Sequence, residues 1–438
     1  MMLNCDILIS AEVIVTQNAN RDILYQAALA VTGGTIAALG QRVDLEKEYQ
    51  PKRVLKLGKS LLMPGLVNAH THMPMTVMRG KADDLPLMDW LNGHIFPLER
   101  RLDPHIIQVG TELACAEMLR TGATAFCDMY LNESTIYRTA DRIGLKALVG
   151  EGIFNFPTLG CENPADALPL ARSRAEELRG NPRIRYSIAP HAVYTTTPEL
   201  LAACAGLARE LELPLQIHLA ETRSETEQCL KLYGIRPLEL ACRAGILGPD
   251  TTIAHGVDLT EEEMDLLAES ATVVAHNPRS NMKLASGAAP IARMLEKGVP
   301  LGLGTDGAAS NNTLNMFAEM SACALLHKHV GQESTALPAQ SVLDMATLGG
   351  ARALHRPELG SLGIGGPADL TALDLASPNL LPLYSPVSHL VYAASGHEVI
   401  LTMVDGNILY ENGKFNSIDY PALLREVAEI NVFMQKQN

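Results

Sequence analysis

Short apolar runs with β-type composition stand at both ends of the chain. Three of them, 6–16, 27–40 and 53–63, are rich in Val, Ile, Leu and Ala and are broken by glycine turns. Similar runs return at 368–375 and 399–415, where Asp405-Gly406 and Asn412-Gly413 are hairpin-turn dipeptides. We predict a small β-sandwich domain formed by the two terminal segments, 1–62 and 366–438, the second ending in a helix.

The pattern between these ends is different. Short apolar runs alternate with longer amphipathic stretches such as 197–211 and 260–270, which is typical of repeated βα units. Eight such runs occur: LLMPGLVNAH, GATAFCDM, LKALVGEGIF, IRYSIAPHA, PLQIHLAE, TTIAHG, ATVVAHNP and PLGLGTDG. Eight strands with helices between them predict an α/β fold, a (β/α)8 TIM-type barrel over 63–365.

Composition and charge narrow the class of protein. The 438 residues are 47% hydrophobic and 19% charged, as in a soluble globular protein, and a net charge of −14 disfavours nucleic-acid partners. No apolar run reaches the roughly 18 residues of a membrane span, and the N-terminus lacks the pattern of a signal peptide. The eight cysteines form no C-x-x-C pair. We expect a cytoplasmic protein with reduced thiols and no membrane partner.

Five of the eight runs carry a histidine or an aspartate near their C-terminal end. These residues are His70 with His72, His191, His218, His255 and Asp306. Barrels of this type build their active sites from the C-terminal ends of the strands and the loops that follow. Residues that are scattered in sequence would therefore meet at one mouth of the barrel.

His70 and His72 have the spacing that places two side chains on one face of a strand. Both imidazoles can then bind one cation, and His218 and Asp306 are the natural additional ligands. Three imidazoles and one carboxylate predict one divalent metal ion per chain. Zn²⁺ is the first candidate and Fe²⁺ the alternative.

The remaining polar residues supply the proton transfers that an activated water needs. Asp306 can accept a proton from the water, and His255 can hold and polarise the resulting hydroxide. Glu221 can move a proton to the substrate. Its offset of three from His218 does not follow strand alternation, so we expect Glu221 in the turn after that strand.

These stretches resemble the amidohydrolase superfamily, and within it the methylthioadenosine/S-adenosylhomocysteine deaminases. The matching segments are MPGLVNAHTHMPM, DLPLMDWLNGHIFPLE, APHAVYTTTPELL, QIHLAET, TIAHGVDLT, VVAHNPRSNMKLASG and GLGTDGAASNNTLNMFAEM. The fourth run contains no lysine, whereas superfamily members with two metals commonly carry a bridging lysine there. The resemblance therefore implies a single metal.

The resemblance also implies roles for individual residues. His70, His72, His218 and Asp306 would be the metal ligands. Glu221 would donate a proton to the purine N1 and His255 would support the hydroxide, so that Glu221, His255 and Asp306 are the catalytic residues. The substrate would contact Glu221, Asp306, Glu99 at the ribose hydroxyls, His191 at the nucleoside, and Trp90, which either lines the pocket or packs.

One departure bears on the substrate. Glu151 aligns with a position where family members that accept S-adenosylhomocysteine carry an arginine, and a glutamate cannot pair with a carboxylate. Phe154 and Phe156 offer apolar surface for a methylthio group, although Arg79 could supply a cation from another loop. We expect deamination at C6 with 5′-methylthioadenosine preferred, adenosine next and S-adenosylhomocysteine poorer.

Two other functions compete with this one. The same metal site could act on another ring, such as guanine, cytosine, a pterin or a triazine. A non-catalytic assembly protein could also keep the barrel, but the complete set of ligands disfavours it. The resemblance further implies a small-molecule nucleoside substrate and a homo-oligomer.

Overall fold

A computed structural model describes residues 2–435. In chain order its strands are β1 Leu3–Val15, β2 Ile23–Thr32, β3 Thr35–Gln41, β4 Tyr49–Lys56, β5 Ser60–Pro64, β6 Leu66–Thr71, β7 Ala123–Tyr130, β8 Lys146–Ile153, β9 Ile184–Tyr186, β10 Ala189–Pro190, β11 Leu215–Leu219, β12 Thr251–His255, β13 Val273–His276, β14 Leu301–Leu303, β15 Leu370–Asp374, β16 Val399–Val404, β17 Asn407–Glu411 and β18 Lys414–Phe415.

The α-helices, again in chain order, are α1 Arg42–Glu48, α2 Leu87–Trp90, α3 Phe96–Glu99, α4 Pro104–Arg120, α5 Glu133–Ile143, α6 Ala167–Glu177, α7 Pro198–Leu211, α8 Arg223–Tyr233, α9 Pro237–Arg243, α10 Glu261–Ser270, α11 Pro278–Lys283, α12 Ile291–Glu296, α13 Ala308–Asn311, α14 Met316–Gly331, α15 Ala339–Asp344, α16 Gly350–Ala353, α17 Pro386–Ser388 and α18 Tyr420–Gln435. Short 3-10 turns span Met73–Met78, Pro164–Asp166 and Pro378–Leu380, and π-type turns span Leu91–Ile95, Met345–Gly349 and His389–Ala393. Within residues 2–435, none of the helices combines the length and the apolar character needed to cross a membrane.

The helices begin where the sequence provides capping side chains. The Thr197 side chain accepts a hydrogen bond at the start of α7. Thr260 and Glu263 form a reciprocal capping box at the start of α10. Both helices were predicted from their amphipathic stretches, and both predictions are confirmed.

Strands from both ends of the chain form one sheet of nine strands. Its order is β18-β17-β16-β15-β5-β1-β2-β3, with β4 paired to β1. One apolar cluster contains residues from both terminal segments, among them Ile9, Leu29, Leu370 and Leu401. The hairpins predicted at Asp405-Gly406 and Asn412-Gly413 join β16 to β17 and β17 to β18, and all four residues have positive φ.

Parallel strands between these ends close into a barrel. β6, β7 and β8 pair in sequence order, and β9 and β10 both pair with β8 and together form the fourth strand. β11 to β14 form the other half, and the Ile188–Leu215 and Ala192–His218 bridges join the two halves. The Asp306 amide donates to the His70 carbonyl at 2.9 Å, which connects the last strand to the first. The predicted α/β fold, a (β/α)8 barrel with a β-rich part from both termini, is confirmed, and the strands predicted to form a β-sandwich belong to one nine-stranded sheet.

The first of the eight predicted runs divides into two strands. β5 joins the terminal sheet and β6 joins the barrel, with Gly65 between them. A Cβ atom at Gly65 would overlap the Thr124 side chain, so only glycine allows this close approach.

The last helix returns to the barrel side of the molecule. α18 packs against α4, and Arg101 Nη2 donates to the Phe433 carbonyl at 2.9 Å. The division into domains at 62/63 and 365/366 stays a prediction.

Candidate active site at the barrel mouth

The residues predicted as metal ligands meet at the C-terminal ends of the barrel strands. His70 lies within β6, His72 directly follows it, His218 lies in β11 and Asp306 follows β14. His70 Nε2 and His72 Nε2 lie 3.6 Å and 3.3 Å from Asp306 Oδ1. His72 Nε2 and His218 Nε2 are 3.2 Å apart. Four residues separated by up to 236 positions thus face one point.

Backbone carbonyls orient two of these imidazoles. His72 Nδ1 lies 2.7 Å from the Met129 carbonyl and His218 Nδ1 lies 2.8 Å from the His191 carbonyl. Each Nδ1–H donates to its carbonyl, so each Nε2 presents a lone pair to the cluster. His70 Nε2 is buried and has no hydrogen-bond partner among the described residues. The three imidazoles converge on one point, and in their neutral form they are the ligands that a divalent cation requires.

Asp306 is held by groups that the sequence analysis did not identify. The Ser280 and Ser310 hydroxyls donate to Oδ2 at 2.6 Å and 2.8 Å, and the Gly307 amide donates to Oδ1 at 2.7 Å. Burial alone would raise the pKa of Asp306, but the adjacent His70 and His72 rings bring this pKa well below its usual range. The carboxylate is therefore charged, and Oδ1 faces the histidines.

Glu221 reaches the cluster because the chain turns sharply after β11. Ala220 has a left-handed backbone with φ +53°. The Glu225 carboxylate accepts hydrogen bonds from the amides of Ala220 and Glu221 at 3.1 Å and 2.7 Å. Glu221 Oε2 then lies 3.8 Å from His255 Nε2. Burial, with Asp306 and Glu225 nearby, raises the pKa of Glu221 well above its usual range.

His255 is the last residue of β12 and is buried at the same mouth. The Asn281 amide donates to its Nδ1 at 3.0 Å, and Asn277 Nδ2 lies 3.4 Å from the same atom. With Nδ1 as the acceptor, the ring proton is on Nε2, on the side of Glu221. Asn277 and Asn281 belong to the segment HNPRSN, whose polar residues are the only sequence signal for this contact.

A cavity opens above the cluster. Trp90 and Glu99 line it from one continuous helical segment, 87–99, and His191 lines it from the loop after β10. The His191 ring stacks on Phe154 at 4.5 Å between centroids, and its Nδ1 lies 2.9 Å from Thr195 Oγ1. Burial raises the pKa of Glu99 to about 7, against the opposing effect of the Tyr130 hydroxyl. Trp90 Nε1 is buried without a partner among the described residues.

Comparison with known proteins identifies the family. Residues 61–409 match the amidohydrolase family. The chain belongs to the amidohydrolase family. The membership predicted from the motifs is thus confirmed.

Two relatives and two solved structures show which amidohydrolases this chain is similar to. A 5-methylthioadenosine/S-adenosylhomocysteine deaminase of Nitratidesulfovibrio vulgaris, strain Miyazaki F, is 58% identical over 97% of each chain. A protein of the same name from Lawsonia intracellularis is 51% identical over 99% of this chain and 98% of its own. The crystal structure of an adenosine deaminase from Xanthomonas campestris with bound zinc has a TM-score of 0.97 and 37% identity, covering 99% of this chain and 100% of the other. A triazine hydrolase variant has a TM-score of 0.90 over 97% and 99% of the two chains, but at 22% identity it shows a shared fold alone.

The side chains of Glu151 and Arg79 do not face the cavity of this amidohydrolase. The Glu151 carboxylate accepts hydrogen bonds from the amides of Asn132 and Glu133 at 2.7 Å and 2.9 Å, on the helix side of β8. Gly152 and Phe154 face the cavity instead, as strand alternation requires. Arg79 binds Glu117 and the Asn312 carbonyl. The inference from Glu151 to the substrate is therefore wrong, and Arg79 supplies no cation to the cavity.

Of the two phenylalanines expected to offer apolar surface to the substrate, only one lines the cavity. Phe154 lines the cavity, whereas Phe156 packs behind it, with ring centroids 5.1 Å apart. The other apolar lining residues include Met75, Leu87, Leu91, Phe96 and Leu131. Among the described residues that line the cavity, none is lysine or arginine.

Proposed function

We propose that this amidohydrolase deaminates a 5′-substituted adenosine at C6, with 5′-methylthioadenosine preferred, adenosine next and S-adenosylhomocysteine poorer. The products are the inosine analogue and ammonia. The chain is a hydrolase that acts on C–N bonds, as its 51–58% identical relatives are. The observation that carries the proposal is the convergence of three histidines, Asp306, Glu221 and His255 on the floor of one cavity.

A divalent cation fits the cluster at the floor of the cavity. His70, His72, His218 and Asp306 would hold it, because they offer three imidazole nitrogens and one charged carboxylate oxygen. The donor set and the zinc named in the Xanthomonas structure favour Zn²⁺. Such an ion supplies Lewis-acid activation of water near neutral pH.

Three residues handle protons during the reaction. Asp306 Oδ1 accepts a proton from the attacking water, whose oxygen bonds to C6. His255 donates a hydrogen bond from Nε2 to that oxygen. Glu221 is protonated because burial raises its pKa, so it can donate to N1 of the ring. The C6–N bond then breaks, the proton held by Asp306 leaves with ammonia, and the C6 hydroxyl returns its proton to Glu221 as it becomes the carbonyl of the product.

The cavity wall supports the proposed order of substrates. Glu99 can accept hydrogen bonds from the ribose hydroxyls, and His191 and Trp90 can contact the nucleoside. A methylthio group gains from contact with the apolar wall, at about 0.8 kcal/mol per buried methylene-sized group. The carboxylate of S-adenosylhomocysteine finds no cationic partner among the described lining residues, so its burial is unfavourable.

The test is ammonia release by the purified chain with 5′-methylthioadenosine, adenosine, S-adenosylhomocysteine, guanine and cytosine side by side. We expect kcat/KM to fall in the order given, with no turnover of the free bases. Chelation should abolish turnover and Zn²⁺ should restore it. An S-adenosylhomocysteine value equal to or above that for 5′-methylthioadenosine would refute the preference, and turnover of a free base alone would refute the nucleoside assignment.

A further inference from the structure

A second group of metal-type ligands lies outside the cavity, formed by His276, Cys323 and His327. One ligand atom from each residue lies within 4.8 Å of the other two. The ligand atoms of His70, His72 and His218 also lie within 4.8 Å of one another. All three residues of the second group are buried, with exposures of 0%, 0% and 5%.

Rigid elements hold the three side chains together. His276 is the last residue of β13, and Cys323 and His327 lie four residues apart on α14. That spacing places both side chains on one face of the helix, above one another. Two ligands on one helix and one on a strand end fix most of the geometry of a site in advance.

The two imidazoles suit a metal, whereas burial raises the pKa of the Cys323 thiol, so an ion that binds there must displace its proton. Burial lowers the pKa of His276 well below its usual range and that of His327 to about 4, so both imidazoles are neutral. Their Nε2 atoms are 2.9 Å apart. His276 thus contacts His327 through Nε2, whereas its Nδ1 is buried without a hydrogen-bond partner among the described residues.

We propose that His276, Cys323 and His327 form a second cation site, for a thiophilic divalent ion of the zinc type. Zn²⁺ is bound at about 2.0–2.1 Å by histidine nitrogen and about 2.3 Å by thiolate. To bind one ion at that distance, the two Nε2 atoms would have to move apart from their present separation of 2.9 Å. Binding replaces the proton of the Cys323 thiol, which passes to solvent, with a metal–sulfur bond.

The position of this site gives it a structural role. It ties α14 to the end of β13, one residue before Asn277 and five before Asn281, which both contact His255. An ion there would hold the strand end that positions His255 and would take no part in the reaction. The two cation sites would therefore be separable by mutation.

The sulfur ligand makes the proposal testable without measuring turnover. Within the described residues, no cysteine belongs to the cluster at the cavity floor. The full chain is stripped of metal, reloaded with Co²⁺ alone and freed of excess ion. We expect two cobalt ions per chain and a near-ultraviolet sulfur-to-cobalt charge-transfer band.

Three variants assign the band and the second ion. Cys323→Ser should lose the band and one ion, while the matched control Cys204→Ser, which changes another buried helical cysteine, should keep both. The His70→Ala/His72→Ala variant should keep the band and lose the other ion. If Cys323→Ser fails to fold, His327→Gln decides, since it should also lose one ion.

A wild-type chain with one cobalt ion and no charge-transfer band would overturn the second site. A band that survives Cys323→Ser but disappears in Cys204→Ser would overturn it as well. Because neither readout depends on deamination, failure of the second site and failure of the proposed function are distinguishable.

Discussion

Three non-glycine residues at the barrel mouth adopt the left-handed backbone conformation. These are Ala220, His255 and Asp306, with φ of +53°, +79° and +61°. Such a conformation costs an L residue about 1–2 kcal/mol, and it persists where surrounding contacts hold it. Here the Glu225 carboxylate holds the turn at Ala220, and the Gly307 amide and two serine hydroxyls hold Asp306. The strained backbone aims side chains that a regular strand would direct elsewhere.

The first prediction concerns Glu221, which this turn brings to His255. We expect Glu221→Gln to lower kcat by about 10²–10⁴-fold, because it removes the proton donor, while the metal content stays the same. Steady-state kinetics with 5′-methylthioadenosine and elemental analysis measure the two effects. Glu227→Gln, on the exposed side of α8, is the matched control and should leave kcat unchanged. A kcat for Glu221→Gln close to that of the wild type would exclude Glu221 as the donor.

At the scale of elements, one barrel strand caps the helix that precedes it. Asn132, the N-cap residue of α5, makes no side-chain capping bond. Glu151 on β8 instead accepts the hydrogen bonds of the Asn132 and Glu133 amides. A carboxylate at a helix N-terminus also has a favourable interaction with the helix dipole. Glu151 therefore joins a strand to the helix that precedes it.

The second prediction follows from this capping role. We expect Glu151→Ala to lower the free energy of unfolding by about 1–2 kcal/mol, because the amides of Asn132 and Glu133 lose their acceptor. Glu151→Gln keeps one acceptor oxygen and should cost less. Urea unfolding measures both variants.

The same variants test whether Glu151 acts on substrate choice. Neither should change the ratio of kcat/KM for S-adenosylhomocysteine to that for 5′-methylthioadenosine. A rise in this ratio with Glu151→Gln would mean that the residue influences the cavity after all.

At the scale of the whole molecule, a buried ion cluster joins the barrel to the terminal sheet. Lys146 Nζ, at the start of β8, lies 2.7 Å from Asp369 Oδ2 and 2.6 Å from Asp405 Oδ1. The Asp405 amide donates in turn to Asp369 Oδ1 at 2.8 Å. Lys146 and Asp369 are almost fully buried, whereas Asp405 is partly exposed. The cluster thus connects parts of the chain that are more than 220 residues apart.

The third prediction concerns this ion cluster. We expect Lys146→Met to lower the free energy of unfolding by about 3–5 kcal/mol, because it leaves Asp369 buried without its cation. Lys146→Met combined with Asp369→Leu should recover part of the loss. Urea unfolding measures both variants. Lys52→Met is the control, because it removes an exposed ion pair and should leave the unfolding midpoint unchanged. If Lys146→Met is as stable as the wild type, the ion cluster does not stabilise the contact between the barrel and the terminal sheet.

The sequence alone determined the order of strands and helices and the residues that we propose as cation ligands. Alternating apolar runs specify a parallel barrel because each run has the length and composition of a buried strand, and the barrel collects the strand ends at one mouth. His70, His72, His218 and Asp306 could be identified in this way because their spacing and their place at strand ends are local properties.

Only the tertiary structure decided which neighbours these residues have. Glu221 follows a turn that strand periodicity does not describe, and Glu151 points away from the cavity because its register on β8 directs it to α5. Ser280, Ser310 and Asn281 hold Asp306 and His255 from other elements, so no local pattern marks them. Cys323 and His327 meet His276 in the same way. Contacts between distant segments depend on packing in three dimensions, and one-dimensional spacing does not carry that information.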